Sequence, residues 1–449
     1  MLIPRKMELS GWGRYPRGQA TVICPEQIAD ALPPAIGQMI ARGQGRSYGD
    51  AALSGTGLVM LTERLSRFVS FDEQTGILTA QAGTTLAEVI DEFLPRGWFP
   101  AVVPGTKIVS LGGCVAADIH GKNHHRDGAF GAHVKEIEMV LADRSRRRSS
   151  PDNEADLFWA TVGGMGLTGL ITEVALQLIP VESSYVVVQH HQTRDLDQAF
   201  AMLSEKQWDD HYTVAWVDCL AKGAKLGRGV LMRGHHAGVN DLPARLRQKP
   251  FTRAARPFTL GFDFPGWVLN SASVRAFNAF YCRLQSRRRR PFIVDYDSFF
   301  FPLDRVGNWN RVYGKRGFVQ YQCVLPTAGA CAGMQALLEA LAGARQSSFL
   351  SVLKRFGPAG RGLLSFPIEG YTLTLDLPVN DSGLFALLDR LDEIVIEHGG
   401  RVYLAKDARL KPETFRRMYP RLDEWLAVKR RVDPDNHFES DLARRLEIG

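Results

Sequence analysis

Eight consecutive residues, Asp118-Ile119-His120-Gly121-Lys122-Asn123-His124-His125, hold three imidazoles, a carboxylate, an amine and an amide. That density of donors and acceptors suits the wall of an active site better than a core segment. Zinc is the rival chemistry for His120, His124 and His125. Those imidazoles come without a carboxylate at ligand spacing or a cysteine cluster, so a polar wall is preferred and no metal is expected. Three glycine-rich loops lie in the same half of the chain: 43–49, Gly105 with Gly112-Gly113, and 163–169. Any one of them reads as a tight turn. Glycines also let backbone N–H groups approach a ligand and form anion-binding nests, and the first loop adds Arg42, Arg46 and the Ser47 hydroxyl, suited to a pyrophosphate. Together they point to a nucleotide cofactor. Gly164-Met165-Gly166-Leu167-Thr168-Gly169 also satisfies G-x-G-x-x-G. That fingerprint must follow a strand and open a helix, whereas here Asp156–Val162 reads as a helix before it and a strand follows, so a Rossmann site is disfavoured.

The elements that must position these residues fall into two halves. Residues 20–180 read as alternating short strands and helices. Ala20–Cys24 and Met39–Arg42 are strands, with a helix over Gln27–Leu32 between them. Leu78–Ala82 is a strand, and Thr85-Leu86-Ala87-Glu88 is a capping-box start for a helix through Leu94. Glu136–Ala142 and Leu170–Leu178 are strands, the latter with Leu170, Val174, Leu176 and Leu178 on one face. From about residue 181 the chain is richer in aromatics and arginine. Strands at Tyr185–Val188, Tyr212–Trp216, Phe318–Val324 and Tyr371–Leu377, with helices near 333–343 and 381–398, suggest an α+β substrate domain. The tail, 399–449, is polar and largely helical after Lys406, and reads as docking back on the first domain.

At 449 residues, two domains are the sensible expectation. With 45% hydrophobic and 23% charged residues and no low-complexity tract, the composition is that of a globular protein. No apolar run reaches the roughly 18 residues of a spanning helix. Met1-Leu2-Ile3-Pro4-Arg5-Lys6 lacks a secretory signal's apolar core, so a cytoplasmic or membrane-peripheral chain is the default, with the periplasmic face still open. Cys24, Cys114, Cys219, Cys282, Cys323 and Cys331 include no C-x-x-C pair and are expected to be reduced and mostly buried. The net charge of +7 hints at an anionic partner. Arg144 and Arg146 to Arg148 read as a solvated loop. The run Arg287 to Arg290, beside Phe277, Phe280, Tyr281 and Phe292, suits a membrane interface. No motif supports nucleic acid.

The run Ala41-Arg42-Gly43-Gln44-Gly45-Arg46-Ser47-Tyr48-Gly49-Asp50 resembles the pyrophosphate loop of the vanillyl-alcohol-oxidase class of FAD enzymes. Pro104-Gly105-Thr106 with Leu111-Gly112-Gly113, and the loop 163–169, resemble its other flavin-binding segments. Ser10-Gly11-Trp12-Gly13-Arg14, Asp118–His125, Asn308-Trp309-Asn310-Arg311, Ala405-Lys406-Asp407 and the stretch from Tyr419 to Trp425 narrow the likeness to the decaprenylphosphoryl-ribose 2'-oxidase family. The resemblance runs over nearly the whole chain. It implies an α+β fold: a two-part, PCMH-type FAD-binding domain over 1–180, and a substrate domain with a mainly antiparallel sheet over 181–398. The segment 399–449 would return to the FAD domain.

The implied activity is FAD-dependent oxidation of a ribose 2'-hydroxyl in a lipid-linked sugar phosphate, serving arabinan and cell-wall synthesis. A separate NAD(P)H-dependent keto-reductase would complete the epimerisation. Carried onto this chain, flavin contacts would be Arg42, Gly43, Gly45, Arg46, Ser47, Tyr48, Gly49, Asp50, Ala51, Gly105, Ser110, Gly112, Gly113, Ala117, His120, Ile171 and Tyr403. The substrate pocket would hold Tyr48, His120, Lys122, Trp216, Gln322, Lys354, Phe356, Thr374 and Lys406. Relatives in the wider class attach FAD through a histidine where Arg46 stands, so attachment here is expected to be non-covalent. Mycobacterial members carry a cysteine at the place of Thr374.

Removing hydride from a carbinol leaves a proton to be taken up near the oxygen. Lys406 is the first candidate to stabilise that oxygen, with Tyr48 or His120 relaying the proton; a buried lysine's pKa can fall far enough for it to act as a base. The bland alternative is a Lys406 salt-bridged to Asp407 or another acid. Lys122, Lys354 or Arg311 would supply cations for a lipid phosphate. Rival functions are a sugar-alcohol or aldonolactone oxidase acting on soluble sugars, and a non-catalytic flavin-binding scaffold.

Overall fold

The computed structural model describes residues 3–32, 37–205, 210–265, 268, 271–285, 290–344, 346, 348, 350–379 and 383–449. The first half builds two sheets. Met39–Arg42 and Arg17–Ile23 flank Leu58–Leu61 in parallel, and Arg5–Ser10 closes one edge antiparallel. The second sheet is antiparallel throughout. Leu170–Pro180 is its longest strand, paired with Ile77–Gln81, Val134–Val140 and Trp98–Pro100. Its even-numbered residues from Leu170 to Leu178 are buried while Glu173 and Gln177 stay half-exposed, the alternation read from the sequence. The helix Leu86–Phe93 begins where the capping box places it: Thr85 accepts from the Glu88 amide at 3.1 Å and Glu88 accepts from the Thr85 amide at 2.7 Å. Leu86, Val89, Ile90 and Phe93 then form one buried face.

Two local readings are corrected. The helix over Gln27–Leu32 shrinks to one 3-10 turn, Ile28–Asp30. Leu32 precedes Pro33-Pro34, which disfavours helical backbone before it, and so short a segment cannot repay helix nucleation. Arg144 lies in the turn after Val140, as expected, but the three arginines that follow are not a loop. Arg146–Ser149 is an edge strand, and Arg148 forms ion pairs with Glu136 at 3.3 Å and Glu138 at 3.2 Å, a charged edge that resists pairing with other chains.

The second half is one eight-stranded antiparallel sheet. Its order is Phe292–Asp295, Tyr185–Thr193, Gly229–His236, Tyr212–Val217, Ser351–Phe356, Gly370–Pro378, Phe318–Pro326 and Arg401–Val402. Helices Leu196–Ser204, Ala330–Gly343 and Leu384–Glu397 accompany it. The tail contributes the last short strand and then crosses to the first half. Ala405 accepts from the Tyr48 amide at 2.9 Å, His437 accepts from the Met39 amide, and Trp425 Nε1 donates to Ala160 at 2.9 Å. All six cysteines are thiols outside any disulfide, and Cys114, Cys219, Cys282 and Cys323 are buried. Of the run Arg287 to Arg290, only Arg290 lies within the described residues. Among the described residues no helix is long and apolar enough to cross a membrane.

Candidate active site

A cavity of about 640 Å³ lies between the glycine loops of the first half and one face of the eight-stranded sheet. Gly43, Gly45, Arg46, Ser47, Ala51, Gly105, Ser110, Gly112, Gly113, Ala117, Ile171 and Tyr403 line it, with Gly166 and Gly169 of the third loop. At Gly43 a Cβ would stand 2.1 Å from the Ser110 hydroxyl, so glycine there is required by packing between the first two loops. Gly105 is different. Beyond its chain neighbours no atom lies within 4 Å of where its Cβ would be, so this exposed glycine borders open space at the cavity wall. The buried Nε of Arg46 has no hydrogen-bond partner, and its guanidinium lies 3.9 Å from the Trp12 ring. An open glycine and an unsatisfied guanidinium beside clustered loop amides fit a dinucleotide with a pyrophosphate.

The opposite wall carries ionisable groups. Lys406 Nζ lies 3.9 Å from the centre of the Tyr48 ring. Burial pulls this lysine down to about 7, with the Asp376 carboxylate acting in the other direction. Its neighbour Asp407 is taken up elsewhere, by Arg445 at 2.9 Å and by the amides of Arg409 and Leu410, which removes the pairing of Lys406 with Asp407. Tyr48 is held well above the usual phenol range, chiefly by burial and then by Asp376.

His120 is gripped on both ring nitrogens. Nε2 meets the Gln322 amide at 2.9 Å, and Nδ1 meets Lys354 Nζ at 3.1 Å. Burial, followed by the Lys354 charge, keeps the ring well below the usual imidazole range and therefore neutral. Both facing atoms are nitrogens: Lys354 Nζ, and Gln322 Nε2, which also donates to the Thr372 hydroxyl at 3.2 Å. A ring engaged at both nitrogens positions its neighbours more readily than it relays a proton. Lys354 is drawn down to about 7 by burial and then by Lys122 and Lys406. Lys122, also near 7 through burial, donates to the carbonyls of Phe299 at 2.7 Å and Phe300 at 3.3 Å. Neither of these two lysines has a carboxylate partner among the described residues.

Trp216, Gln322 and Thr374 line the same cavity. Thr374 sits directly opposite Gln322 on one side and Val352 on the other. Five expected contacts stand back from it. Arg42 donates to the carbonyls of Ser10 at 2.7 Å and Ala52 at 3.3 Å, bracing the first loop from behind. A Cβ on Gly49 would fall 1.7 Å from the Asp407 carbonyl, so that glycine lets the tail close on the loop. Asp50 is bound by both ends of the Arg445 guanidinium at 2.8 Å. Phe356 lies between His120 and His124, with ring centres 4.7 and 4.4 Å away, and supports His120 from the core side. Arg311 is not in the cavity: it bonds the Gly261 carbonyl and approaches Asp263.

The other two imidazoles of the polar cluster also find separate partners. His124 Nδ1 accepts from the Gly357 amide at 3.2 Å, and His125 Nε2 meets the Asp210 carbonyl at 3.0 Å. Sequence reasoning missed Asp376, which binds Gln320 and the Tyr313 hydroxyl and is pushed by burial up to about 7. A signal was there: Thr372, Thr374 and Asp376 alternate through the otherwise apolar run Tyr371–Leu377 and share one face. It also missed Asp304, which accepts from Thr106 at 3.0 Å and from the Lys107 amide at 2.8 Å and so ties down the loop after Gly105.

The FAD binding domain family matches residues 37–150, and the D-arabinono-1,4-lactone oxidase family matches residues 380–446. The decaprenylphosphoryl-beta-D-ribose oxidase of Mycolicibacterium smegmatis is 40% identical over 98% of this chain and 97% of its own. An L-gulono-1,4-lactone dehydrogenase of Mycobacterium tuberculosis is 23% identical over 97% of this chain and 98% of its own. A putative D-arabinono-1,4-lactone oxidase of Neurospora crassa is 30% identical, over only 31% of this chain and 25% of its own. Identity of 40% along 98% of the chain, with glycine loops facing an ionisable wall across one cavity, places this chain in the decaprenylphosphoryl-β-D-ribose oxidase family of FAD-dependent oxidoreductases.

Proposed function

We propose that the protein, holding FAD without a covalent link, oxidises the 2'-hydroxyl of a polyprenyl-phosphoryl ribose to the 2'-keto sugar. The observation that carries this reading is the pair Lys122 and Lys354: two lysines facing the cavity, without carboxylate partners among the described residues, beside the polar group of His120, Gln322 and Thr374. An anion placed between them restores the charge that burial suppresses. When bound, FAD supplies the acceptor for the hydride removed from the carbinol carbon. Gly43, Gly105 and Gly113 would admit its diphosphate, with Arg46 as counter-ion. Lys406 would receive the hydroxyl proton, and Tyr48 would hold the lysine in place through its ring face. His120, fixed by Gln322 and Lys354, would set the orientation of the sugar.

Two further parts of the reading concern partners. A separate NAD(P)H-dependent keto-reductase would complete the conversion to arabinose. The helix Ser271–Gln285, with Phe277, Phe280 and Leu284 exposed along one stripe, would rest on the membrane that holds the lipid substrate. A free-sugar oxidase has no use for two buried lysines that lack carboxylate partners among the described residues. Anaerobic mixing with ribosyl-phosphoryl polyprenol, against free ribose, alditols and aldonolactones, tests the assignment. The lipid-linked ribose alone should bleach the flavin absorbance; bleaching by a free sugar or lactone at equal or lower concentration overturns it.

A further inference from the structure

The cavity-facing side of the eight-stranded sheet changes character from one edge to the other. Directly opposed residues of antiparallel strands share a face. Gln322, Thr374, Val352 and Trp216 form such a row across four adjacent strands. Beyond Trp216 the same face continues through Val214, opposite Met232, and Val188, opposite Phe292. These four also line the cavity. The half nearest the tail is thus polar, with Lys354 at its border, and the far half is apolar apart from His190, whose ring lies against Phe292. Four strand spacings separate Thr374 from Val188, roughly 19 Å at about 4.8 Å each.

The helix Ser271–Gln285 covers this apolar half. Val274, Asn278 and Cys282 point inward at helical spacing and are buried, and Asn278 anchors the helix to Asp218 at 2.8 Å. Tyr281 and Gln285 reach the cavity itself, Tyr281 with its ring 5.0 Å from that of Trp216. A sugar oxidised at the flavin needs none of this apolar length. Resting on the substrate reading above, we propose that the face from Val352 to Val188, roofed by the helix Ser271–Gln285, is a binding site for the first few isoprene units of the lipid. Sugar, phosphate and hydrocarbon would then lie in their covalent order across the sheet: Gln322 and Thr374, Lys354 with Lys122, and Val352 through Val188.

The test needs no turnover. FAD-loaded protein is titrated with isoprenyl monophosphates of increasing chain length, following intrinsic tryptophan and flavin fluorescence. Affinity should rise by roughly tenfold or more per added isoprene unit, since burying apolar groups dominates binding there, and then level off once the chain spans the apolar half. In Val188→Trp, which blocks the far end, the plateau should come at a shorter chain. Val188→Thr keeps the shape but adds a hydroxyl, and should cost affinity only for chains long enough to reach it. Affinity independent of chain length, or a plateau unmoved in Val188→Trp together with an unchanged long-chain affinity in Val188→Thr, overturns the site. A separate arm mixes the same protein anaerobically with ribosyl-phosphoryl isoprenols. If those fail to bleach the flavin while the length dependence holds, the substrate reading falls and the hydrocarbon site stands.

Discussion

In the proposed chemistry the residue-scale question is where one proton rests. Lys406 and Asp376 face each other's fields in a buried setting, and both are brought to about 7 from opposite directions. If Lys406 accepts the hydroxyl proton, flavin reduction should rise through an apparent pKa near 7. The carboxylate raises the lysine, so Asp376→Asn leaves burial unopposed and should shift that rise to lower pH; stopped-flow reduction across pH 5 to 9 reads the shift. A profile unchanged by the substitution removes Asp376 from the proton's path. Lys406→Met should still bind FAD yet lose about 3 kcal/mol of transition-state stabilisation, roughly a hundredfold in the reductive rate. Reduction at the unaltered rate makes this lysine structural. At position 46 an arginine offers no ring nitrogen for a covalent link. Acid precipitation should therefore release all FAD to the supernatant, and flavin retained in the pellet contradicts the non-covalent assignment. Lys406 and Arg46 stood out in the sequence because motifs surrounded them. Asp376 showed only the alternation of Thr372, Thr374 and Asp376 through an apolar run, and its partner Gln320 comes from another strand.

Among the elements, the tail is what joins the two walls. Arg445 binds Asp50 at the end of the first loop and Asp407 after Lys406, and both acids are almost wholly buried. Arg445→Met leaves two buried carboxylates without their cation, which should cost about 3–5 kcal/mol. Thermal unfolding should show a lower Tm, and FAD affinity should fall with it, since the same contact closes Gly49 against Asp407. A variant as stable as the parent would mean that water replaces the guanidinium. Strongly patterned elements were legible in the sequence: Met39–Arg42 has the expected bounds, and Leu170–Pro180 the expected alternation. The short strand Arg401–Val402 was not. Two residues carry no period, and only the neighbouring strand Phe318–Pro326, through Cys323 and Val324, makes them part of a sheet. The helix over Gln27–Leu32 failed for a related reason: Ala31 and Ile28 pack inward, but so short a segment followed by two prolines cannot repay the cost of starting a helix.

At the scale of the whole molecule, the proposed function would have the surface next to the apolar half of the cavity meet the membrane that holds the substrate. The sequence grouped four aromatics with an arginine run, but the fold divides them. Tyr281 and Phe292 face the cavity, whereas Phe277 is 43% and Phe280 65% exposed, with Leu284 at 41% completing an outward stripe at helical spacing. Arg275 and Arg283 are exposed on the same helix. An apolar stripe beside cations is the pattern of a helix lying in a bilayer surface. Replacing Phe277, Phe280 and Leu284 by serine should weaken binding to vesicles of anionic phospholipid by at least roughly tenfold, since even partial burial of such side chains contributes on the order of 1 kcal/mol each. That loss should persist at high salt. Replacing Arg287 to Arg290 by glutamine should instead produce a loss that shrinks as salt rises, because the electrostatic attraction is screened beyond about 10 Å at 0.1 M salt. Oxidation of a short-chain soluble substrate should keep its rate in both variants, while oxidation of a long-chain substrate embedded in vesicles should slow. Equal losses on the soluble and embedded substrates would show that the stripe supports the fold of the helix rather than contact with lipid. Unchanged vesicle binding in both variants would leave the surface without a membrane role.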